Sequence, residues 1–270
     1  MKSHIKHHQI AGSETIYKKN SLQTSSRTLE DHTSVILDTL ETLSADISFI
    51  DSSMLESIQD WSQADTSQSL WVQGPFEDTY PSSTSEITGK VISIALTLKC
   101  PVLCFFCDIS KYHEGEDDDD TSPAALAVID LVYSLIRQTI DLFPAQVTTR
   151  HDLGKSRFAK LNGSLDSFDK ALRILGQLLP LAPSMMLIFI DGIEQLDDME
   201  VESQVNAILG LLQASMIQTL SRKKRDRRVF KILYTTAGTC DALENLDEEY
   251  LEIVEAEGGT LRAELDLDFV

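Results

Sequence analysis

The stretch Met186-Leu-Ile-Phe-Ile190, followed by Asp191-Gly192, decides the fold of this chain. Its apolar run has no alternating polar residue, which predicts a strand buried on both faces of a sheet. An acidic residue directly after such a strand lies at the carboxyl end of that strand, and open parallel sheets bind their ligands at that end. The stretch therefore predicts a parallel sheet with Asp191 at its ligand-binding edge.

Three other apolar segments have the same character, and segments with helical periodicity separate them. They are residues 70–72 before Gly74-Pro75, residues 101–107, and residues 229–234 before Thr235-Thr236. Between them, apolar residues recur every three or four positions, as on the buried side of a helix. Strands that alternate with helices predict an α/β fold, with a three-layer core around a mostly parallel sheet.

The remaining segments differ in composition from this core, which is expected to span residues 63–258. Residues 1–32 are rich in Ser, Thr, Lys and His without periodicity, and we expect a disordered tail there. Residues 33–62 carry apolar side chains at steps of three and four, which predicts a helical lead-in to the core. Residues 259–270 are expected to form a C-terminal strand or tail.

Charge and hydropathy limit the partners of the chain. Its 270 residues carry a formal net charge of −20, which argues against nucleic acids and membranes because their phosphates would be repelled. No apolar run reaches the roughly 18 to 20 residues that span a bilayer. The N-terminus lacks the apolar core of a signal peptide, so we expect a cytoplasmic protein. The basic run from Arg222 to Arg228 could serve as a nuclear localisation signal, or it could be the solvated end of a helix.

The four cysteines of the chain are Cys100, Cys104, Cys107 and Cys240. Three of them cluster around one apolar segment, which favours reduced thiols in the core over a disulfide framework. Cys104 and Cys107 are three residues apart, and such residues in a strand point to opposite faces of the sheet. We therefore expect neither a metal site nor a redox pair at this segment.

Four segments, in this order and spacing, resemble a known family: LWVQGP, PVLCFFC, LIFIDGIEQL and FKILYTT. They are similar to the fungal NACHT-type members of the STAND class of P-loop NTPases, over residues 61–237. The resemblance implies that the first strand leads into a phosphate-binding loop at Gly74 and Pro75. It also implies that Asp191 is the Mg²⁺-binding acid of a Walker B motif, and that Thr235 is the polar residue that senses the γ-phosphate.

The Walker B segment matches the family in part. Asp191 is followed by Gly192-Ile-Glu-Gln-Leu196, where the family has a small, an apolar, two acidic and an apolar residue. Glu194 fits the first acid and would be the catalytic residue of an active protein. Gln195 replaces the second acid with a neutral amide, which cannot act as a base. The alternative is that Asp191 and Glu194 only end a strand at the surface.

The phosphate-binding loop is where the family pattern fails. A working loop reads G-x-x-x-x-G-K-[S/T], in which backbone N–H groups and the lysine hold the phosphates and the hydroxyl holds Mg²⁺. This chain reads Gly74-Pro-Phe-Glu-Asp-Thr-Tyr-Pro81. Thr79 therefore stands in place of the second glycine, Tyr80 in place of the lysine and Pro81 in place of the hydroxyl residue.

Two carboxylates make this loop less suited to a nucleotide. Glu77 and Asp78 would lie where the triphosphate binds, and like charges at ~4 Å repel by about 1 kcal/mol in water and by more when shielded from it. Two other Gly-Lys pairs do not replace the loop. Thr88-Gly89-Lys90-Val91 is expected inside a helix with Lys90 exposed, and His151-Asp-Leu-Gly-Lys-Ser156 is expected in a polar surface connection.

These observations give three hypotheses for the function, and the third is a purely structural partner-binding domain in which Tyr80 or Phe76 fills the cleft. We expect a catalytically degenerate NACHT-like module that acts as an interaction or regulatory domain in signalling, as the resemblance implies. Such a protein would need no cofactor and would bind protein partners. The alternative is a nucleotide-binding ATPase or GTPase switch that binds Mg²⁺ with ATP or ADP through a non-standard loop. It would use Asp191 for the metal, Glu194 as base and Lys90 as a surrogate for the missing lysine.

Overall fold

The computed structural model describes residues 14–33, 39–40, 43, 52–112, 121–220 and 228–256. In chain order, its strands are β1 (Thr15–Lys18), β2 (Gln68–Gly74), β3 (Val102–Phe106), β4 (Gln146–Thr149), β5 (Met185–Asp191), β6 (Val229–Ala237) and β7 (Leu251–Glu255). Its α-helices are α1 (Lys19–Ser25), α2 (Ser52–Gln63), α3 (Ser83–Thr97), α4 (Pro123–Asp141), α5 (Lys155–Phe158), α6 (Phe168–Leu178), α7 (Glu202–Leu220) and α8 (Asp241–Glu244).

Five of these strands form one parallel sheet in the order β3-β5-β6-β2-β7. The expected α/β fold with a parallel sheet is therefore confirmed. The register pairs Asp191 with Thr235 and Gly74 with Ala237, so the carboxyl ends of β5, β6 and β2 lie side by side at one edge. This is the edge at which open parallel sheets bind their ligands.

Helices cover both faces of the sheet and complete the expected three layers. Along β5, Ile188 and Ile190 pack into one hydrophobic cluster with α4, α6 and α7. Leu187 and Phe189 pack into a second cluster with α2 and α3. All four side chains are fully buried. Burial on both faces explains why the sequence of β5 is an unbroken apolar run.

Strand β7 is not predicted by the sequence analysis, because glutamates interrupt its apolar pattern. It pairs in parallel with β2, and its sequence is Leu-Glu-Ile-Val-Glu. Leu251 is buried, whereas Glu252 and Glu255 are exposed. A strand at the edge of a sheet can carry charge, and charge there discourages pairing with other chains.

The prediction of a disordered tail over residues 1–32 is wrong for its second half. Residues 15–32 form β1, α1 and a 3-10 turn at Arg27–His32, and β1 pairs antiparallel with β4. Leu22 and Leu29 are buried in the core. The Arg137 guanidinium contacts a Glu30 carboxylate oxygen at 2.6 Å. Two leucines are too few to show helical periodicity, so the sequence alone does not predict that this segment packs on the core. Residues 1–13 and 259–270 lie outside the described residues.

Helix α2 lies in the segment where a helical lead-in is expected, while most of residues 34–51 lie outside the described part of the chain. Helix α2 packs on the sheet through Met54, Ile58 and Trp61. Its carboxyl end is held by the fully buried Lys231 of β6, whose Nζ donates hydrogen bonds to the carbonyls of Trp61 (2.7 Å) and Ser62 (2.6 Å). A cation at the carboxyl end of a helix satisfies carbonyls that have no partner within the helix.

The expectation that no segment is long and apolar enough to span a bilayer is wrong for helix α4, by its length and composition alone. Its mean hydropathy of 1.3 over the most apolar window passes that test, and 78% of that window is buried inside the protein. The helix packs between β3 and α6 as part of the core. Its composition is that of a buried helix in a three-layer fold.

The cysteines behave as expected from their spacing. All four are free thiols, and Cys104 packs into the cluster on one face of the sheet while Cys107 packs into the cluster on the other. Burial raises the pKa of the Cys104 thiol to about 12, which keeps it protonated. Residues 222–227 of the basic run lie outside the described residues. Its last member, Arg228, is buried and donates hydrogen bonds to the carbonyls of Pro180 and Pro183.

Candidate functional site

The candidate site lies at the carboxyl edge of the sheet and is centred on Asp191, which is fully buried at the end of β5. Its Oδ1 accepts a hydrogen bond from the Thr235 hydroxyl at 2.6 Å. Its Oδ2 accepts hydrogen bonds from the Ser85 hydroxyl at 2.6 Å and from the Tyr80 hydroxyl at 3.4 Å. Both carboxylate oxygens are therefore engaged by side chains of the protein itself.

The pKa of Asp191 is raised to about 6, because burial disfavours its charged form. The hydrogen bonds from Ser85, Thr235 and Tyr80 act in the opposite direction, since they stabilise the carboxylate. Tyr80 is itself partly buried, and burial together with the charge of Asp191 raises the pKa of its phenol. Tyr80 therefore remains a neutral hydroxyl that donates to Asp191.

Thr235 joins the sheet to helix α3, as well as donating to Asp191. Its Oγ1 lies 2.7 Å from Oγ1 of Thr88, in the second turn of α3. The Thr88 hydroxyl also donates to the carbonyl of Thr84 at 2.9 Å. Asp191 and Thr235 are thus in contact, as expected. The contact of Thr235 with Thr88 and that of Asp191 with Ser85 join this pair to α3.

Glu77, in the loop after β2, places its carboxylate at the start of α3. Both carboxylate oxygens of Glu77 accept from the backbone N–H of Ser83, at 3.1 and 3.2 Å, and one of them also accepts from the Ser83 hydroxyl at 2.5 Å. Ser82 caps the helix, because its hydroxyl accepts from the N–H of Ser85 and its own N–H donates to the Ser85 hydroxyl. These contacts satisfy the N–H groups that a helix start leaves unpaired and place a negative charge at the positive end of the helix dipole.

The hydroxyl residue that contacts Asp191 from the first turn of α3 lies outside the segment 74–81. In the comparison with the G-x-x-x-x-G-K-[S/T] pattern, Pro81 stood at the hydroxyl position, but the hydroxyl that contacts the acid of β5 belongs to Ser85. Against the G-K-[S/T] pattern, Thr84 then stands where the lysine would be, and Ser83 where the glycine would be. The sequence missed Ser85 because the loop after Gly74 is longer than the standard spacing. The run of hydroxyl residues from Ser82 to Ser85 was the available signal, since such residues favour the start of a helix.

Gly74 is required by the close approach of β2 and α3. A Cβ at this position would lie 2.5 Å from Cγ2 of Thr84 and 3.1 Å from the carbonyl oxygen of Thr236. The Gly74 carbonyl also accepts from the N–H of Gly238 at 3.0 Å. Pro75, the neighbouring residue, is exposed. Of the two residues expected to contact phosphate here, only Gly74 is packed against α3.

Glu194 lies beside the site in the 3-10 turn Ile193–Leu196. Its Oε1 accepts from the backbone N–H of Ala237 at 3.1 Å, and its Oε2 is buried without a hydrogen-bond partner among the described residues. Burial, together with the charges of Asp191 and Asp197, raises its pKa to about 7. Gln195 has a structural role, since its Oε1 accepts from the N–H of Ile109 at 3.1 Å.

Of the two other Gly-Lys pairs, the first lies in a helix as expected, whereas the second begins a short helix instead of lying in a connection. Thr88-Gly89-Lys90 is inside α3, and Lys90 is exposed. Gly154-Lys155 lies at the start of the single-turn helix α5, which follows β4. Neither pair supplies a cation to Asp191.

The residues at this site do not fit a magnesium-bound nucleotide. The oxygens of Asp191 are taken by three hydroxyls, and Glu77 lies at the N–H group that a phosphate would use. No lysine or arginine occurs between Gly74 and Gly89, so nothing in the loop or the first turns of α3 neutralises a phosphate. Among the residues that the structure describes, no group of three or more His, Cys, Asp and Glu side chains could hold a metal ion.

Comparisons with known proteins provide little that bears on this site. No family model matches the chain, and no curated protein matches it. One similar solved structure is a chain of the E. coli MS115-1 HORMA:CdnC:Trip13 complex, with 10% sequence identity and a TM-score of 0.31. That match covers 90% of this chain and 68% of the other. A likeness at this level supports no inference about function.

Proposed function

We propose that this chain is a catalytically degenerate NACHT-like module, which acts as an interaction or regulatory domain in signalling rather than as a hydrolase. The observation that carries the proposal is the contact between Glu77 and the Ser83 amide at the start of α3. In P-loop proteins the start of this helix holds phosphate. Here a carboxylate of the same chain lies there, so the site is filled without a nucleotide.

Catalysis of phosphoryl transfer depends on positive charge and on hydrogen-bond donors that are fixed in place. The site offers acids instead: Glu77 and Asp191, with Glu194 beside them. A polyphosphate would have to displace Glu77 from Ser83, which costs about 1.5 to 3 kcal/mol for a hydrogen bond to a charged group. It would also have to free Asp191 from Ser85 and Tyr80. No lysine is available to offset these costs.

Because the module binds no nucleotide in this proposal, we expect it to act by binding partners at its surface. Hydrogen bonds connect the residues at the carboxyl edge of the sheet to one another. We therefore expect this edge to be rigid and not to open for a substrate. The net charge of −20 disfavours nucleic acid and anionic membranes as partners. Proteins are the partner class that remains, which agrees with the interaction role that the family resemblance implies.

Calorimetric titration of the full chain with Mg-ATP and Mg-ADP tests this proposal. We expect no saturable heat up to millimolar nucleotide, and the same result for an Asp191→Ala variant. Micromolar affinity that disappears in Asp191→Ala would overturn the proposal, because it would show that Asp191 holds the metal of a bound nucleotide.

A second candidate is a nucleotide-dependent switch, and Glu194 is the observation that favours it. A general base works best with a pKa near the working pH, and Glu194 has a pKa of about 7 and a buried oxygen without a partner among the described residues. Lys90 cannot supply the missing charge from its place in α3, since it lies seven positions after Ser83, which is ~10 Å along the helix. Release of phosphate from Mg-ATP that is lost in Glu194→Gln would favour this candidate; no release above the buffer control would exclude it.

A further inference from the structure

A cavity lined by four cations lies on the helical layer of the protein, and it shares no residue with the candidate site described above. Its volume is about 230 Å³, and the residues that line it are Arg157, Lys160, Lys170 and Arg173. All four are positively charged at neutral pH. A basic cavity in a chain with a net charge of −20 is not what the overall composition would produce.

Two short helical segments hold these cations. Arg157 belongs to α5, and Lys160 follows in the same turn, where its N–H donates to the carbonyl of Arg157. Lys170 and Arg173 belong to α6. Within each pair the residues are three positions apart, a spacing that places both on one side of a helical turn.

Buried apolar neighbours fix both segments to the core. Phe158 and Leu161 are buried beside the first pair, and Phe168 and Ala171 are buried beside the second. All four apolar residues belong to the cluster that contains α4 and the sheet. The backbone that carries the four cations is therefore anchored to the core, while their side chains lie at or near the surface.

The cations of this cavity have no acidic partner within the described residues. None of the ion pairs there includes any of the four, although Asp166 and Asp169 are exposed in the same segment. Arg173 uses its Nε to donate to the backbone carbonyl of Asp169 at 3.0 Å, which leaves its terminal nitrogens for another acceptor. Cations that surround a concave surface without counter-charges attract anions more strongly than isolated surface cations do.

We propose that this cavity binds a phosphate monoester carried by a partner protein, that is, a phosphorylated side chain. The two arginines can each give a pair of parallel N–H donors to phosphate oxygens, and the two lysines add charge. The volume of about 230 Å³ admits a compact anion such as a phosphate group. It does not suit a long polyanion, which the charge of the rest of the chain would repel.

The choice of a protein partner follows from the same charges. An anionic membrane presents many phosphates at once, and a protein with a net charge of −20 is repelled by such a surface. A single phosphorylated residue needs only the local cavity. The inference extends the proposed interaction role, but it rests on residues remote from Asp191, so that nucleotide binding and this site can fail separately.

Fluorescence anisotropy of the full chain with a labelled Ala-Ala-phosphoserine-Ala-Ala peptide tests the inference. We expect saturable binding that inorganic phosphate competes away, and no binding of the unphosphorylated peptide. The double variant Arg157→Gln, Arg173→Gln should weaken binding by about tenfold or more, because it removes both bidentate donors. The control Lys90→Gln, Lys155→Gln loses the same charge outside the cavity and should bind within about twofold of the unmodified chain.

Three outcomes would overturn the inference. One is equal loss of peptide binding in both double variants, which would show a general charge effect. Another is equal binding of the phosphorylated and unphosphorylated peptides. The third is binding to phosphatidylcholine vesicles that contain phosphatidylinositol phosphate without any binding of the phosphopeptide, which would assign the cavity to a lipid headgroup. Unchanged far-UV circular dichroism of each variant establishes that the comparison is between folded proteins.

Discussion

The Glu77 carboxylate accepts hydrogen bonds from the backbone N–H of Ser83 through both of its oxygens, at 3.1 and 3.2 Å. Ser83 is the first residue of α3, the helix that follows the first strand of the parallel core. A helix start attracts anions because its N–H groups are unpaired and its dipole is positive there. In this protein the anion is the carboxylate of Glu77, which lies six residues before Ser83 and contacts it across the loop.

We expect Glu77→Gln to lower the free energy of unfolding by about 1 kcal/mol, because it removes a charged cap from the start of α3. Urea denaturation followed by circular dichroism measures the change. The matched control is Asp78→Asn, which removes the same charge from the next residue, an exposed one. An equal loss in both variants would mean that loop charge, rather than the contact with Ser83, is responsible.

Acidic pH should stabilise the protein through Asp191 and Glu194. Their pKa values in the folded state are raised to about 6 and about 7, above the ordinary values of 3.8 and 4.5. The folded state therefore binds protons more tightly, so stability is greatest below about pH 4 for these two groups and is lost as the pH rises through about 7. Urea midpoints at pH 5 and pH 8 measure this difference. It should shrink in the double variant Asp191→Asn, Glu194→Gln; an unchanged difference would assign the pH dependence to other groups.

Lys231→Met should reduce the free energy of unfolding by about 1 to 3 kcal/mol, since it leaves the buried carbonyls of Trp61 and Ser62 without their donor. The fluorescence of Trp61 should change as well, because the Lys231 Nζ lies 5.9 Å from the centre of its ring. Lys90→Met, at an exposed position of α3, is the control. Stability equal to that of the control would show that α2 is not held by this cation.

Gly74→Ala should destabilise the protein by about 1 to 3 kcal/mol, because the added methyl group would lie 2.5 Å from Cγ2 of Thr84. Thr84→Ser removes that Cγ2 atom and should recover part of the loss in the double variant. Thermal or urea unfolding of the two single variants and the double variant gives the coupling between the positions. Strict additivity would contradict the close approach of β2 and α3.

The strands of the core could be predicted from the sequence, because burial on both faces leaves an unbroken apolar run such as the one before Asp191. The sequence placed Asp191 and Thr235 at the carboxyl ends of parallel strands, and the structure shows that these two strands are neighbours. Ser85 could not be placed in this way, because the length of the loop after Gly74 hides the start of α3. The role of Lys231 could not be predicted either, because its two hydrogen-bond partners lie 169 and 170 residues away in α2.

The ¹H–¹⁵N resonance of the Ser83 amide gives the most direct test of the proposal that Glu77 takes the place of a phosphate at the start of α3. In a titration with Mg-ATP, we expect no saturable shift of this resonance up to millimolar nucleotide in the unmodified chain. The Glu77→Gln variant serves as the comparison, because its Ser83 amide has lost its charged acceptor. A saturable shift at micromolar nucleotide in the unmodified chain, lost in Asp191→Ala, would contradict the account and show that phosphate displaces Glu77.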